Sequence, residues 1–237
     1  MPAARTDDAV ARRRVRAQRI AGLYAVTPDL ADTPNLAARV AAALAGGAAV
    51  IQYRNKAADA ALKREQALAL ARVQAIRGGL YIVNDDAALA VEVGADGVHV
   101  GEDDAAIAAA RAIVGPDRIV GVSCYNDLSL ARSAVAAGAD YVAFGSFFPS
   151  AVKPDARRAD VDMLGPARAL GVPVVAIGGI TADNARLLAA AGADAVAVIS
   201  AVFAHDDLAD VTRASAAIAA CFDSAPAGGS ARRQPQA

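Results

Sequence analysis

Tryptophan is absent from these 237 residues, and all aromatics together make up 4%. With so few large rings Ala and Val dominate, which suits close packing of helices on a sheet. Cysteine is nearly absent too. Cys124 and Cys221 are too few for a disulfide framework and are not spaced as zinc ligands, so a reduced, cytoplasmic setting is expected. An excess of either charge is also missing. A net charge of −1 gives no reason to expect nucleic acid or a membrane surface as partner. No run approaches the ~18 consecutive apolar residues a membrane span needs. The basic stretch Arg12-Arg13-Arg14 leads into Val15-Arg16-Ala17-Gln18-Arg19 with no apolar h-region, so it is not a signal peptide, and Asp7 and Asp8 speak against a transit peptide.

What is present is alternation. Apolar, β-branched runs at Leu23–Val26, Ala49–Tyr53, Leu80–Val83, Gly97–Val100, Ile119–Val122, Tyr141–Phe144, Val174–Ile177 and Ala195–Ile199 read as strands buried on both faces. Helix signals lie between them. Thr33-Pro34 reads as an N-cap followed by a first-turn proline, Asp59 opens a run ending at Gly78-Gly79, and Thr181 with Asn184 opens another. Residues 1–19 read as a solvated, disordered basic tail with at most partial helicity, residues 20–223 as one catalytic domain, and residues 224–237 as a disordered end. Both tails are expected to be dispensable.

Eight strands alternating with helices fit a closed barrel or a doubly wound open sheet. A repeat favours the barrel. Gly94-Ala95-Asp96-Gly97-Val98, Gly138-Ala139-Asp140-Tyr141-Val142 and Gly192-Ala193-Asp194-Ala195-Val196 are near copies, with a weaker one at Gly47-Ala48-Ala49-Val50. They precede alternate strands, as expected where alternate strands fill interior layers of a single (βα)₈ TIM barrel, the α/β architecture expected here.

Active sites of such barrels lie at the C-terminal ends of the strands, and polar residues gather there. Strand two ends in Gln52-Tyr53-Arg54-Asn55-Lys56, strand three in Asn84-Asp85-Asp86, strand four in Glu102-Asp103-Asp104 and strand five in Ser123-Cys124; strand six leads into a loop with Ser150 and Lys153, strand seven ends in Gly178-Gly179, and strand eight in Ile199-Ser200. Residues two apart on a strand share a face, so Gln52 and Arg54 project together toward the mouth with Lys56 just beyond. An Arg fork beside a Lys point charge suits a dense anion, although a solvated strand-to-helix turn would look the same. Asp85 and Asp104 follow neighbouring strands. Carboxylates so placed suit Mg²⁺ shared with substrate phosphates, but helix N-caps also favour Asp; Asp86 and Asp103 read as first-turn residues complementing the helix dipole. Backbone N–H groups near Gly179 and Ser200 could cradle a monophosphate. His99 lies inside strand four, either lining the interior or facing a helix, and reads best as a satisfied core histidine. Cys124 reads as a structural thiol, because no second histidine lies near it, and His205 as a surface residue.

As an ordered set, Gln52–Lys56, Asn84–Asp86, Asp96–Asp104, Gly121–Ser123 and Ile177–Ile180 resemble the thiamine phosphate synthase family over about residues 20–222. The resemblance implies a transferase that joins hydroxymethylpyrimidine diphosphate to thiazole phosphate, releasing diphosphate. It implies that Gln52, Tyr53, Arg54, Asn55, Lys56, Asn84, Ser123 and Lys153 bind the pyrimidine diphosphate, with Arg54, Lys56, Ser123 and Lys153 catalytic. Asp85 and Asp104 would hold one Mg²⁺ per site, and Ser150, Ala151, Val152, Gly179, Ile199 and Ser200 would bind the thiazole phosphate. Family members often read Thr-x-Thr-Lys where this chain has Ser150-Ala151-Val152-Lys153, so a second hydroxyl is missing at Val152. The implied partners are small-molecule substrates, with no nucleic acid or membrane and with a homodimer left open. A tautomerase or regulatory relative should lack the diphosphate and metal groups, a non-catalytic binding protein would not need them, and an isomerase would need an acid/base pair that the mouth does not offer.

Overall fold

In the computed structural model, which describes residues 3–101, 103–149 and 157–223 and only the backbone of residues 3–7 and 104, the chain folds as a closed parallel barrel. The order is α1 (Ala3–Ala17), β1 (Gly22–Val26), α2 (Thr33–Ala45), β2 (Ala48–Tyr53), α3 (Ala60–Arg77), β3 (Leu80–Asn84), α4 (Ala87–Glu92), β4 (Gly97–Val100), α5 (Asp104–Val114), β5 (Ile119–Tyr125), α6 (Leu128–Ala136), β6 (Tyr141–Gly145), α7 (Leu164–Ala167), β7 (Val174–Ile177), α8 (Ala182–Ala191), β8 (Ala195–Val198), α9 (Ser200–Phe203) and α10 (Leu208–Asp223). Each strand pairs in parallel with its neighbours in sequence, and β1 closes on β8. All eight apolar runs are strands.

Alternation along each strand makes two cores. One face packs on the helices through residues such as Leu23, Ile51, Tyr81, Val98, Val142 and Val196. The other fills the barrel with Tyr24, Val50, Ile82, Ile119, Tyr141, Val175 and Ala197. Ala and Val are among the commonest residues in both, so helices and strands approach closely around a few large rings, among them Tyr81 in the first core and Tyr24 and Tyr141 in the second.

The repeated Asp residues act at the N-terminal end of the barrel. Asp96 Oδ2 accepts from the backbone N of Tyr81 at 2.9 Å, Asp140 Oδ2 from Val120 N at 2.9 Å and Asp194 Oδ2 from Val174 N at 2.8 Å. The turns before β4, β6 and β8 thus stitch themselves to the start of the preceding odd strand.

Residues 3–17 are not the disordered tail expected from sequence. They form α1, with Ala9 and Ala17 buried, and Ala17 and Ile20 joining the barrel-filling cluster. The arginines that suggested a solvated tail are what dock it. Arg13 Nε meets Asp140 Oδ1 at 2.7 Å with both side chains largely covered, Arg16 lies 3.7 Å from Asp96, and Arg12 pairs with Asp117 at 3.1 Å. Residues 224–237 lie outside the described residues. One cap also shifts: Asp32, not Thr33, caps α2, because its carboxylate accepts from Asn35 N at 3.0 Å. Among the described residues no helix is long and apolar enough to cross a membrane.

Candidate active site

At the C-terminal end of β2 the chain alternates between interior and helix layer. Gln52 points inward and donates to the Tyr24 hydroxyl at 2.8 Å. Tyr53 points the other way, buried against α3, with its hydroxyl donating to Gln66 Oε1 at 3.0 Å. The Tyr53 ring therefore does not face the mouth, which the next-residue alternation already requires. Arg54 returns to the mouth side. Its backbone N donates to Thr27 Oγ1 at 2.8 Å, the Thr27 hydroxyl donates back to Arg54 O, and the guanidinium lies 3.4 Å from Asp29 Oδ1. Asn55 is buried and uses its amide on Leu30 O and Gln66 Oε1 and its carbonyl on Ala58 N, so its side chain ties the loop down. Lys56 is exposed, with its backbone N on Asp29 Oδ1 at 2.8 Å.

The adjacent loop carries the acidic group. Asn84 ends β3 abreast of His99 in β4, and Asp85 N donates to His99 O at 2.8 Å. Asp85 adopts φ +63°, a left-handed conformation unusual for a non-glycine residue and a form of strain that collects at functional sites. Its carboxylate accepts from Asn84 Nδ2 at 2.7 Å, and no ion pair reaches it among the described residues. The capping alternative falls away for Asp85 and Asp104, because the caps are their neighbours. Asp86 caps α4 by accepting from Leu89 N, and Asp103 caps α5 by accepting from Ala105 N. Asp104 is the first residue of α5, and its side chain lies outside the described residues.

His99 is an interior residue with both ring nitrogens occupied, Nδ1 at 2.8 Å from the Tyr141 hydroxyl and Nε2 at 2.9 Å from Ser123 Oγ. Burial pushes its pKa down to about 4, so the ring is neutral at physiological pH. The same burial drives the Tyr24 and Tyr141 phenols upward, and they stay protonated. Ser123 is half-exposed at the mouth, while Cys124 is buried with its thiol near Val122 O. His205 is half-buried rather than fully on the surface.

Across the mouth, Gly178 and Gly179 have φ +107° and +65°. A Cβ on Gly179 would stand 2.3 Å from Pro149 O and 2.6 Å from Phe148 O, so glycine is required both for the backbone turn and for the close approach of the β6 loop. Asn184 Nδ2 holds Gly179 O at 3.1 Å. Ile199 and Ser200 follow β8, with Ser200 exposed as the first residue of α9. Ser150, Ala151, Val152 and Lys153 lie outside the described residues.

The structure thus brings Gln52, Arg54, Lys56, Asn84, Asp85, Ser123, Gly179 and Ser200 to one end of the barrel, and turns Tyr53 and Asn55 into supports. Sequence reasoning passed over Thr27 and Asp29, which follow β1 as the other polar groups follow theirs; extending the strand-end scan to the first strand finds them. It also passed over Tyr24 and Tyr141, two aromatics at inward-facing strand positions.

A protein-family model described as thiamine monophosphate synthase matches residues 23–202. A thiamine-phosphate synthase of Chromobacterium violaceum is 54% identical over 198 residues, covering 84% of this chain and 96% of that protein. One from Methylobacillus flagellatus is 55% identical over 189 residues, covering 80% and 90%. The solved structure of a thiamine phosphate pyrophosphorylase from Pyrococcus furiosus superposes with a TM-score of 0.76 at 34% identity, covering 87% of this chain and 97% of that one.

Proposed function

Since the chain belongs to the thiamine monophosphate synthase family and is a transferase of that family, we propose that it joins hydroxymethylpyrimidine diphosphate to thiazole phosphate, forming thiamine phosphate and releasing diphosphate. The observation that carries the reading is the convergence of Arg54, Lys56 and Asp85 on adjacent strand ends, beside Gln52 and Ser123. Two cations and an unneutralised carboxylate fit a metal–diphosphate complex.

Mg²⁺ fits the donor chemistry. Asp85 offers an exposed carboxylate with no cation partner among the described residues, Asp104 follows the neighbouring strand, and both are oxygen donors. When bound, the ion would neutralise charge on the departing diphosphate. Arg54 and Lys56 share that task, the guanidinium as a fork and the ammonium as a point charge. Ser123 and Asn84 add neutral hydrogen bonds. Loss of diphosphate can precede attack by the thiazole nitrogen, because an aminopyrimidine stabilises the cation left on its methylene carbon. No protein nucleophile is then needed, and the chain's work is positioning and electrostatics. The thiazole phosphate would sit on the backbone near Gly179 and Ser200, with Ile199 and the loop of Ser150, Ala151 and Val152 beside it and Lys153 reaching the pyrimidine diphosphate.

The test is direct: incubate the protein with both substrates and Mg²⁺ and follow thiamine phosphate by chromatography. Product that requires both substrates and is lost with chelator is the expected result. Absence of product with both substrates and Mg²⁺ present would remove the assignment.

A further inference from the structure

Five side chains form an unbroken hydrogen-bonded chain across the barrel interior, from Gln52 on β2 to Ser123 on β5. Gln52 Nε2 donates to the Tyr24 hydroxyl at 2.8 Å, the Tyr24 and Tyr141 hydroxyls are 2.8 Å apart, Tyr141 lies 2.8 Å from His99 Nδ1, and His99 Nε2 lies 2.9 Å from Ser123 Oγ. The three inner groups are shut off from solvent, with Tyr24 1%, Tyr141 0% and His99 8% exposed. Among the described residues no buried side-chain nitrogen or oxygen lacks a partner.

Counting hydrogens gives the chain a direction. Tyr24 accepts from Gln52, so its own hydrogen goes to Tyr141. Tyr141 then gives its hydrogen to His99 Nδ1, which must be bare. The single ring hydrogen sits on Nε2 and is donated to Ser123 Oγ. The Ser123 hydrogen has no place in the chain and is left to point into the mouth. An Nδ1–H tautomer, or an imidazolium, would reverse the Tyr141 hydroxyl and strand the Tyr24 hydrogen in the interior without an acceptor, which a buried hydroxyl strongly disfavours.

We propose that Tyr24, Tyr141 and His99 are positioning residues that fix the Ser123 hydroxyl as a hydrogen-bond donor toward the diphosphate of the pyrimidine substrate, and leave the Gln52 carbonyl as an acceptor at the other end. This rests on the diphosphate reading above. A serine free to rotate would present lone pairs to an anion as readily as its hydrogen. Held as a donor, it is already arranged for the charge that develops on the leaving group, and aligned bonds in a chain strengthen one another. The barrel is shaped for this arrangement. A Cβ on Gly121 would fall 1.9 Å from Tyr141 Cζ and 2.4 Å from its hydroxyl, so the glycine in β5 is what seats the ring between His99 and Tyr24.

Two measurements test the proposal. The first is the His99 tautomer by ¹⁵N NMR on the full chain at neutral pH, with His205→Gln identifying the signals of the other histidine. The Nε2–H form is expected; an Nδ1–H or averaged ring overturns the proposal. The second is turnover of Tyr141→Phe in the native background and in Ser123→Ala. The phenylalanine keeps the ring and removes the hydroxyl that bonds both Tyr24 and His99, cutting the chain between them, so turnover should fall about 10-fold in the native background. In Ser123→Ala it should fall by less than about twofold, because the group the chain acts through is gone. The KM for thiazole phosphate should not move in either. Equal losses in both backgrounds mean a merely structural role and overturn the proposal. If Tyr141→Phe does not fold, Tyr24→Phe makes the same cut one step along. Should the native protein form no thiamine phosphate, the reaction reading falls, while the tautomer still decides whether the chain has this direction.

Discussion

Arg54 sits between an anion of its own chain, Asp29, and the diphosphate it is proposed to receive. At 3.4 Å and partly exposed, the Asp29 pair is loose enough for a substrate to compete with it. Replacing Arg54 by Ala should raise the barrier by about 2–4 kcal/mol, the range for a preorganised electrostatic donor, or roughly 30- to 1000-fold in turnover. Arg54→Lys should restore part of this, and thiazole-phosphate affinity should hold because Gly179 and Ser200 follow β7 and β8, with β1 lying between β8 and the β2 end that carries Arg54. Unchanged turnover in steady-state assays would place the diphosphate elsewhere. Asp85→Ala and Asp104→Ala should each lose most activity and need more Mg²⁺ for what remains; a Mg²⁺ titration that matches the native curve in either variant would remove that residue as a ligand. Much at this scale was legible from alternation. Gln52 and Arg54 share a face, and the same rule, carried one residue further, turns Tyr53 outward. The internal partners were not legible. That Tyr24 reaches Tyr141 depends on how eight strands close, a contact between residues 117 apart in sequence.

Elements were read well where an apolar run named them and poorly where charge did the packing. Every strand was found, because buried parallel strands are apolar on both faces. Helix α1 was missed because it docks largely through arginines, and arginines in sequence look the same whether they face solvent or carboxylates. Asp96 and Asp140 belong to the repeat that marked the barrel, yet nothing in their spacing says that Arg16 and Arg13 would come back to them. The expectation of a dispensable N-terminus is therefore replaced by its opposite. A chain beginning at residue 20 should lose the Ala9 and Ala17 contacts and leave Asp140 with Arg111 as its remaining cation, and should melt measurably lower in a thermal scan. Arg13→Ala alone removes a charge-assisted bond to a covered carboxylate and should cost roughly 1.5–3 kcal/mol by denaturant titration. An unchanged midpoint for the truncated chain would show that α1 contributes nothing to stability.

The whole molecule separates its two tasks by end. The C-terminal end of the barrel collects Arg54, Lys56, Asp85 and Ser123, and it carries the strained backbone of Asp85 and the glycine pair. The N-terminal end collects the Asp stitches, α1 and its ion pairs. Asp140 is the centre of that second end. Its two oxygens accept from Arg13, Arg111 and Val120 N, and its side chain is 4% exposed. Asp140→Ala removes all three bonds and leaves two partly covered guanidiniums without their carboxylate. Arg111 keeps the carbonyls of Gly115, Arg118 and Gly138, and Arg13 keeps Pro116 O, so the cost should sit at the low end for a broken buried ion pair, about 3 kcal/mol. For a domain of this size that lowers Tm by roughly 6–12 °C. Turnover measured well below the melting range should stay near native, because no part of the mouth rests on Asp140 directly. Arg54→Ala should show the mirror image, low turnover at a native Tm. Measuring both quantities on both variants tests the division: if Asp140→Ala lost turnover as steeply as Arg54→Ala while still folded, the two ends would be coupled through the barrel and not independent.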